Sequence, residues 1–291
     1  VFCRYFIKKA FIKIFMKNLI DNIRSKPAGG ILILFCTIQI VAIIAGLLYP
    51  EHFRYLNPAN IAVLLKSMSP LGIMAIGVGV LMISGEFDLS VGTLYTFCAI
   101  VTATMVKEYA LSPYLAMLVG IIVGIIAGLI HGNIVNRFTI PSFIVTLGAM
   151  LLWKGGTLLY HGAKSLRYKY ESETYKTALT GDIGVVDASF LWFIGVGIVF
   201  YFIVHHHKIG NHFFAVGGNP EAAIAIGINP KRVKLIAFAI AGGCAALSGV
   251  VAMSRVGSVQ PGGGLGLELE AIAACVIGGC ALTVSYTHLR A

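Results

Sequence analysis

Charge is what this sequence lacks. Asp, Glu, Lys and Arg together make up 12% of the 291 residues, against about 25% in ordinary soluble domains. A soluble domain of this size needs a polar shell, and too few charges remain to build one. The scarcity also excludes a disordered chain. Of Cys3, Cys36, Cys98, Cys244, Cys275 and Cys280, five lie in apolar runs and none forms a C-x-x-C pair. They read as small buried hydrophobes, not as a disulfide or metal framework. No P-loop, H-E-x-x-H or G-x-S-x-G segment occurs, so no enzyme class gains support. No catalytic residue, metal or cofactor is expected.

Apolar residues are what is abundant, at 58%, together with 34 glycines. Apolar runs fall at about 31–49, 61–84, 90–106, 112–130, 141–156, 189–205, 234–253 and 268–283. A membrane-spanning helix takes roughly 20 such residues. No segment alternates with the period of a membrane β-barrel. The expected fold is all-α: a polytopic α-helical membrane protein with about eight spanning helices.

The formal net charge of +10 does not point to nucleic acid, because seven Lys/Arg residues lie in the first 29 positions and most others in short loops. That is the pattern of a basic cytoplasmic flank, without the aromatic-basic stripe of a nucleic-acid surface. Within residues 1–29, Lys9, Lys13 and Lys17 recur at i+4, with Phe11, Ile14, Phe15 and Leu19 on another side. This reads as an interfacial amphipathic helix. Alternation from a cytoplasmic N-terminus puts 131–140 and 206–233 inside and 157–188 outside, where the last forms at most a small cap.

The most specific stretch runs from Ser84 to Gly92. Glu86 and Asp88 interrupt two apolar runs, and intramembrane ionisable residues are functional candidates by default. Gly85 and Gly92 would let the backbone leave the helix, and Asp88 or Ser90 would cap the next one. A plain interfacial turn with a capping Asp is an equal reading. Gly120, Gly124, Gly128 and Gly132 recur every four residues, a stripe that lets membrane helices approach closely. Leu at Ile121 or Ile125, off that stripe, should be harmless. His205, His206, His207 and His212 cluster, but consecutive helical residues point about 100° apart, which disfavours a metal site. The segment 261–266 is glycine-rich without a following Lys-Ser/Thr.

In the loop 214–230, Asn219 suits an N-cap and Pro220 the first helical position. Gly227, with Asn229-Pro230, would stop the helix. The short helix exposes small residues, Ala222 and Ala223, suited to a partner's cleft, with Glu221 pairing a basic rim. The bland reading is a loop helix lying on the membrane surface.

These blocks resemble the membrane-spanning permease subunit of ABC importers for simple sugars, of the ribose, galactose and xylose type. The resemblance rests on I-S-G-E-F-D-L-S-V-G at 83–92 and I-P-S-F-I-V-T-L-G at 140–148, after the stripe and Asn133. It also rests on A-V-G-G-N-P-E-A-A-x-x-x-G-I at 215–228 and G-L-E-L-E-A-I-A-A-C-V-I-G-G at 266–279. It implies one permease domain over 30–283 in a bacterial inner membrane. It further implies a cytoplasmic ATP-binding subunit, an extracytoplasmic sugar-binding protein and a second permease subunit as partners. Gly85, Glu86, Asp88, Ser90, Gly92 and Asn133 become translocation or gating candidates. Asn219, Glu221, Ala222, Ala223 and Gly227 become the contact with the ATPase. The tail 284–291 does not resemble the family, and with Val1 in place of Met it suggests an incomplete frame. An ion-coupled secondary transporter and a branched-chain amino-acid permease are the rival readings.

Overall fold

The computed structural model describes residues 29–167, 173–183 and 186–280. The expected amphipathic helix before residue 29 and the tail 284–291 lie outside the described residues. Contacts divide the chain into two units: residues up to Asn60 with Ile277–Gly279, and Ile61–Val276 with the residues from Cys280. Helix α1 (Gly29–Leu48) belongs to the first.

The second unit is a helical bundle. It holds most of α2 (Pro58–Ile83), then α3 (Val91–Lys107), α4 (Pro113–Phe138) and α5 (Ser142–His161). After a small folded segment come α7 (Ala188–His206), α8 (Lys208–Gly218), α9 (Pro220–Ala225), α10 (Pro230–Val256) and all but the last residue of α11 (Leu267–Ile277). Helices α2, α4, α5, α7 and α10 are long and apolar enough to cross a membrane, and Ile33–Leu48 and α3 are shorter apolar helices. These match the first seven runs read from the sequence. The eighth run appears as the 11 residues of α11, about 16 Å of helix at 1.5 Å per residue.

The helix ends follow local chemistry. Pro113 and Pro230 occupy the first turns of α4 and α10, where a missing N–H costs nothing. Asn229 Oδ1 accepts from Arg232 N, and Gly257 closes α10 in the left-handed region at φ 68°, where glycine is unstrained.

Helix α10 is the hub, with Ala237, Phe238, Ala241, Ala245, Ala246 and Val250 fully buried. Lipid tails are as apolar as leucine, so helices here gain from close packing more than from leaving solvent. The glycine stripe of α4 meets that requirement. A Cβ at Gly124 would lie 2.6 Å from Ala246 Cβ, and one at Gly132 would lie 3.0 Å from the Phe238 ring. At Gly128 it would collide with the Phe238 carbonyl, and at Gly120 with the Thr102 hydroxyl of α3. Ile125 is not off this interface, because its Cγ1 lies 3.0 Å from where a Cβ of Gly243 would stand. The lipid-like positions of α4 include Ile122 and Ile126, 44% and 50% exposed.

Pro70 sits inside α2. It has no N–H, so the Lys66 carbonyl loses its helical partner. Arg255 Nη1 donates to that oxygen, and Ser248 Oγ donates to Pro70 O at 2.6 Å. Lys66 Nζ lies 3.4 Å from Asp187 Oδ2. At this end β1 (Leu166–Arg167) pairs antiparallel with β4 (Ser258–Val259). Helix α6 (Glu173–Thr180) buries Tyr175 and Leu179 against Ile73, Val250 and Val251. A two-residue hairpin, β2 (Asp182–Ile183) with β3 (Val186–Asp187), leads into α7. The segment expected to form an external cap is thus folded onto α2 and α10.

Candidate functional site

Helix α2 ends where Ser84 Oγ bonds back to Leu81 O at 2.7 Å and Gly85 takes φ 84°. That left-handed conformation favours glycine, so the expected break occurs here. The turn that follows carries Glu86 and Asp88 inside the protein, at 8% and 0% exposure. Buried carboxylates must be paired and hydrogen-bonded. Glu86 Oε1 is bonded by Lys234 Nζ from the first turns of α10. Asp88 Oδ1 accepts from Ser90 N at 2.7 Å and from Ser90 Oγ at 2.5 Å. Asp88 Oδ2 lies 3.3 Å from His131 Nδ1 of α4. The backbone N–H groups of Phe87 and Leu89 donate to Ser142 Oγ and Thr146 Oγ1 of α5, each at 3.1 Å. Three helices therefore hold one turn.

This geometry corrects the capping expectation. Ser90 is the N-cap of α3, yet its side chain makes no cap bond. The Asp88 carboxylate is spent on Ser90 and His131, not on the free N–H groups of α3. Gly92 is also not a break. It lies in the first turn of α3, and a Cβ there would strike Gly264 O and the Glu268 carboxylate.

Trp153 fixes the chemistry of His131. Its indole Nε1–H donates to His131 Nε2 at 3.0 Å, and an indole nitrogen can only donate. Nε2 must then be an acceptor, so the single ring proton sits on Nδ1 and points at Asp88. His131 is thereby held as the neutral Nδ1–H tautomer.

The same geometry makes Asn at 88 a poor substitute for Asp. An Asn amide NH2 in the Oδ2 position would face a second donor, Nδ1–H. Asp88→Asn should lose about as much stability as Asp88→Ala, on the order of 1–3 kcal/mol for an unmade buried bond. Trp153→Phe in the Asp88→Asn background frees His131 to change tautomer, and part of the loss should return. A double-mutant cycle by thermal unfolding in detergent reads this coupling directly.

The ion pair is testable in the same way. Lys234→Met leaves Glu86 buried and unpaired. A loss of about 3 kcal/mol is expected, at the low end for buried pairs, because the Lys234 side chain keeps 23% exposure. The double change Glu86→Gln with Lys234→Met should recover most of the transition temperature.

The other sequence candidates are placed unevenly. Asn133 is exposed; Asn136, one turn on, donates to Lys231 O at 2.8 Å. Asn219 Oδ1 caps α9, accepting from Glu221 N and Ala222 N at 3.0 Å each, and Gly227 ends the loop helix at φ 84°. Glu221 and Ala222 are exposed, but Ala223 is 1% exposed and packs in the core beside Phe213, Val216 and Val233. Just ahead of α9, Gly217 abuts the Ile83 carbonyl and Gly85. The short helix thus adjoins the carboxylate turn.

His131, Trp153, Lys234, Ser142, Thr146 and Glu268 escaped the sequence reading. Ser142 and Thr146 stand at i and i+4 inside the 140–148 block, and Glu268-x-Glu270 repeats the spacing of Glu86-x-Asp88. Those were the available signals.

A bundle of apolar helices closed around a buried, fully bonded polar turn defines a multi-pass membrane protein of permease type. The chain belongs to the family described as branched-chain amino acid transport system / permease component, which it matches over residues 60–287. It is 32% identical to the ribose import permease protein of Bacillus subtilis, over 86% of this chain and 76% of that one. It is 34% identical to the xylose/arabinose import permease protein of Sulfolobus acidocaldarius, over 82% of this chain and 68% of that one. It is 32% identical to the D-allose transport system permease protein of Escherichia coli, over 84% and 74%. No solved structure matches significantly.

Proposed function

We propose that the chain is the permease subunit of an ATP-driven, binding-protein-dependent importer of a monosaccharide. It pairs with a second permease subunit, takes its energy from a separate cytoplasmic ATPase and receives its sugar from an extracytoplasmic binding protein. Its permease domain runs over 30–283 in a bacterial inner membrane with the N-terminus cytoplasmic, which sets the α8–α9 end inside. The family description leaves amino acids open, but the sugar names of the relatives above favour a monosaccharide.

The observation that carries the mechanism is the contact between the α8–α9 corner and the carboxylate turn. An ATPase gripping α9 at Glu221 and Ala222 pulls on Gly217, and Gly217 abuts Ile83 and Gly85. The turn in turn holds α4, α5 and α10. A ligand shifts a conformational equilibrium only through contacts that differ between the states, and this corner can supply one. An ion-coupled carrier needs an acid free to bind its ion. Glu86 and Asp88 are each committed to protein partners, which favours the ATP-driven reading.

The test is uptake by proteoliposomes containing the permease with its cognate ATPase and binding protein. ATP-dependent uptake of ribose or xylose is expected. Uptake of leucine instead would move the chain to the amino-acid class. Uptake abolished by a protonophore at constant ATP would overturn the ATP-driven reading.

A further inference from the structure

We infer that Glu270 lines a water-filled translocation path and accepts hydrogen bonds from the hydroxyls of a neutral polyol. The sugar part of this inference rests on the function proposed above.

The argument begins with depth. Helix α2 has 26 residues, about 39 Å of length, so it overfills a hydrocarbon core of about 30 Å. Met74, Ala75 and Val78 fall well inside both ends. Helix α11 runs beside them: Ala271 packs with Met74 and Val78, and Cys275 Sγ bonds Ala75 O at 3.1 Å. Glu270, next to Ala271, therefore lies at hydrocarbon depth.

Glu270 is exposed, as are Ala273 and Ala274 beside it on the helix. Among the described residues its carboxylate makes no hydrogen bond or ion pair. Its neighbour Glu268 is the opposite case, 7% exposed with both oxygens bonded by Gly266 N at 3.1 Å. A carboxylate at mid-membrane facing lipid costs at least about 2.5–3.5 kcal/mol. The surface bearing Glu270 therefore does not face lipid.

The backbone agrees. The chain leaves α10 at Gly257, pairs at Ser258–Val259, then turns back so that Gly264 abuts Gly92 and Thr96 of α3. Gly262 and Gly263 are exposed on that return. Irregular backbone at membrane depth is tolerated only where it is buried or lines an aqueous cavity, and half-helices of this kind mark substrate paths. A carboxylate beside two small side chains one turn along, Ala273 and Ala274, leaves room for a sugar. It accepts strong hydrogen bonds from hydroxyls and repels anionic sugar phosphates.

The experiment has two arms, both on the permease assembled with its ATPase and binding protein. In the first, Cys3, Cys36 and the half-buried Cys280 are replaced by Ser, and one further cysteine at a time is placed at Glu270, Ala274, Ala271 or Leu151. A neutral, membrane-impermeant thiol reagent should modify 270 and 274 at least tenfold faster than buried 271 or outward-facing 151. Equal rates at all four would overturn the aqueous path. In the second arm, Glu270→Gln should cut ribose or xylose uptake at least tenfold with normal assembly, while Glu270→Asp retains most of it. Uptake by Glu270→Gln at the parental rate would overturn the sugar contact. If the parent carries neither sugar yet 270 and 274 are modified rapidly, the monosaccharide reading fails and the path stands.

Discussion

Gly128→Leu is expected to abolish assembly of the bundle. Even a methyl group at 128 would overlap the Phe238 carbonyl, and what it meets is backbone of α10, not a flexible side chain. Overpacking commonly costs about 1–3 kcal/mol where side chains can yield. Here two helix axes must separate, which also pulls Gly124 from Ala246 and Gly132 from Phe238. The expected result is loss of monodisperse protein in detergent and of protease resistance. Gly124→Leu should behave alike. Ile122→Leu and Ile126→Leu are the matched controls and should be neutral, whereas Ile125 is a poor control because it packs on Gly243. Equal tolerance at 122, 124 and 128 would mean that α4 and α10 do not pack through the stripe.

The second large effect concerns α9. Ala222→Trp should leave the permease folded but abolish ATPase binding, stimulated ATP hydrolysis and transport, because Ala222 is exposed on a six-residue helix capped by Asn219. Ala223→Trp should fail earlier. That position is 1% exposed among Phe213, Val216 and Val233, so the indole has no room within this chain. The two neighbours therefore separate a docking defect from a folding defect. Normal binding and stimulation by Ala222→Trp would remove α9 from the coupling role.

The spans were legible because twenty apolar residues without a charge have few alternatives to a helix in a bilayer. The start of α9 was legible because Asn219-Pro220 writes a cap and a first turn within two residues, whereas Asn229-Pro230 reads only as a stop and also opens α10. The stripe was legible because glycine at a period of four has one geometrical meaning on a helix. The partners of the carboxylates were not legible. Lys234 is 148 residues from Glu86 and His131 is 43 from Asp88, and no local rule links them. Asp88 looked like a cap because a cap is the nearest use of a carboxylate before a helix. The tautomer lock needed Trp153 and His131 in three dimensions. Ala222 and Ala223 look identical as letters, and only packing tells which faces outward.

The distance between Glu86 and Lys234 along the chain also sets a schedule for biogenesis. A ribosome making about 5–20 residues per second takes roughly 7–30 s to pass from one to the other. Throughout that interval the nascent protein carries an unneutralised carboxylate between its second and third apolar helices. Pro70 likewise waits 178 residues for Ser248. Arrival of α10 is therefore the locking event of synthesis. Until it arrives, the earlier helices depend on the insertion machinery to shield their polar turn, and a chain halted before residue 230 is the form that quality-control proteases should remove fastest.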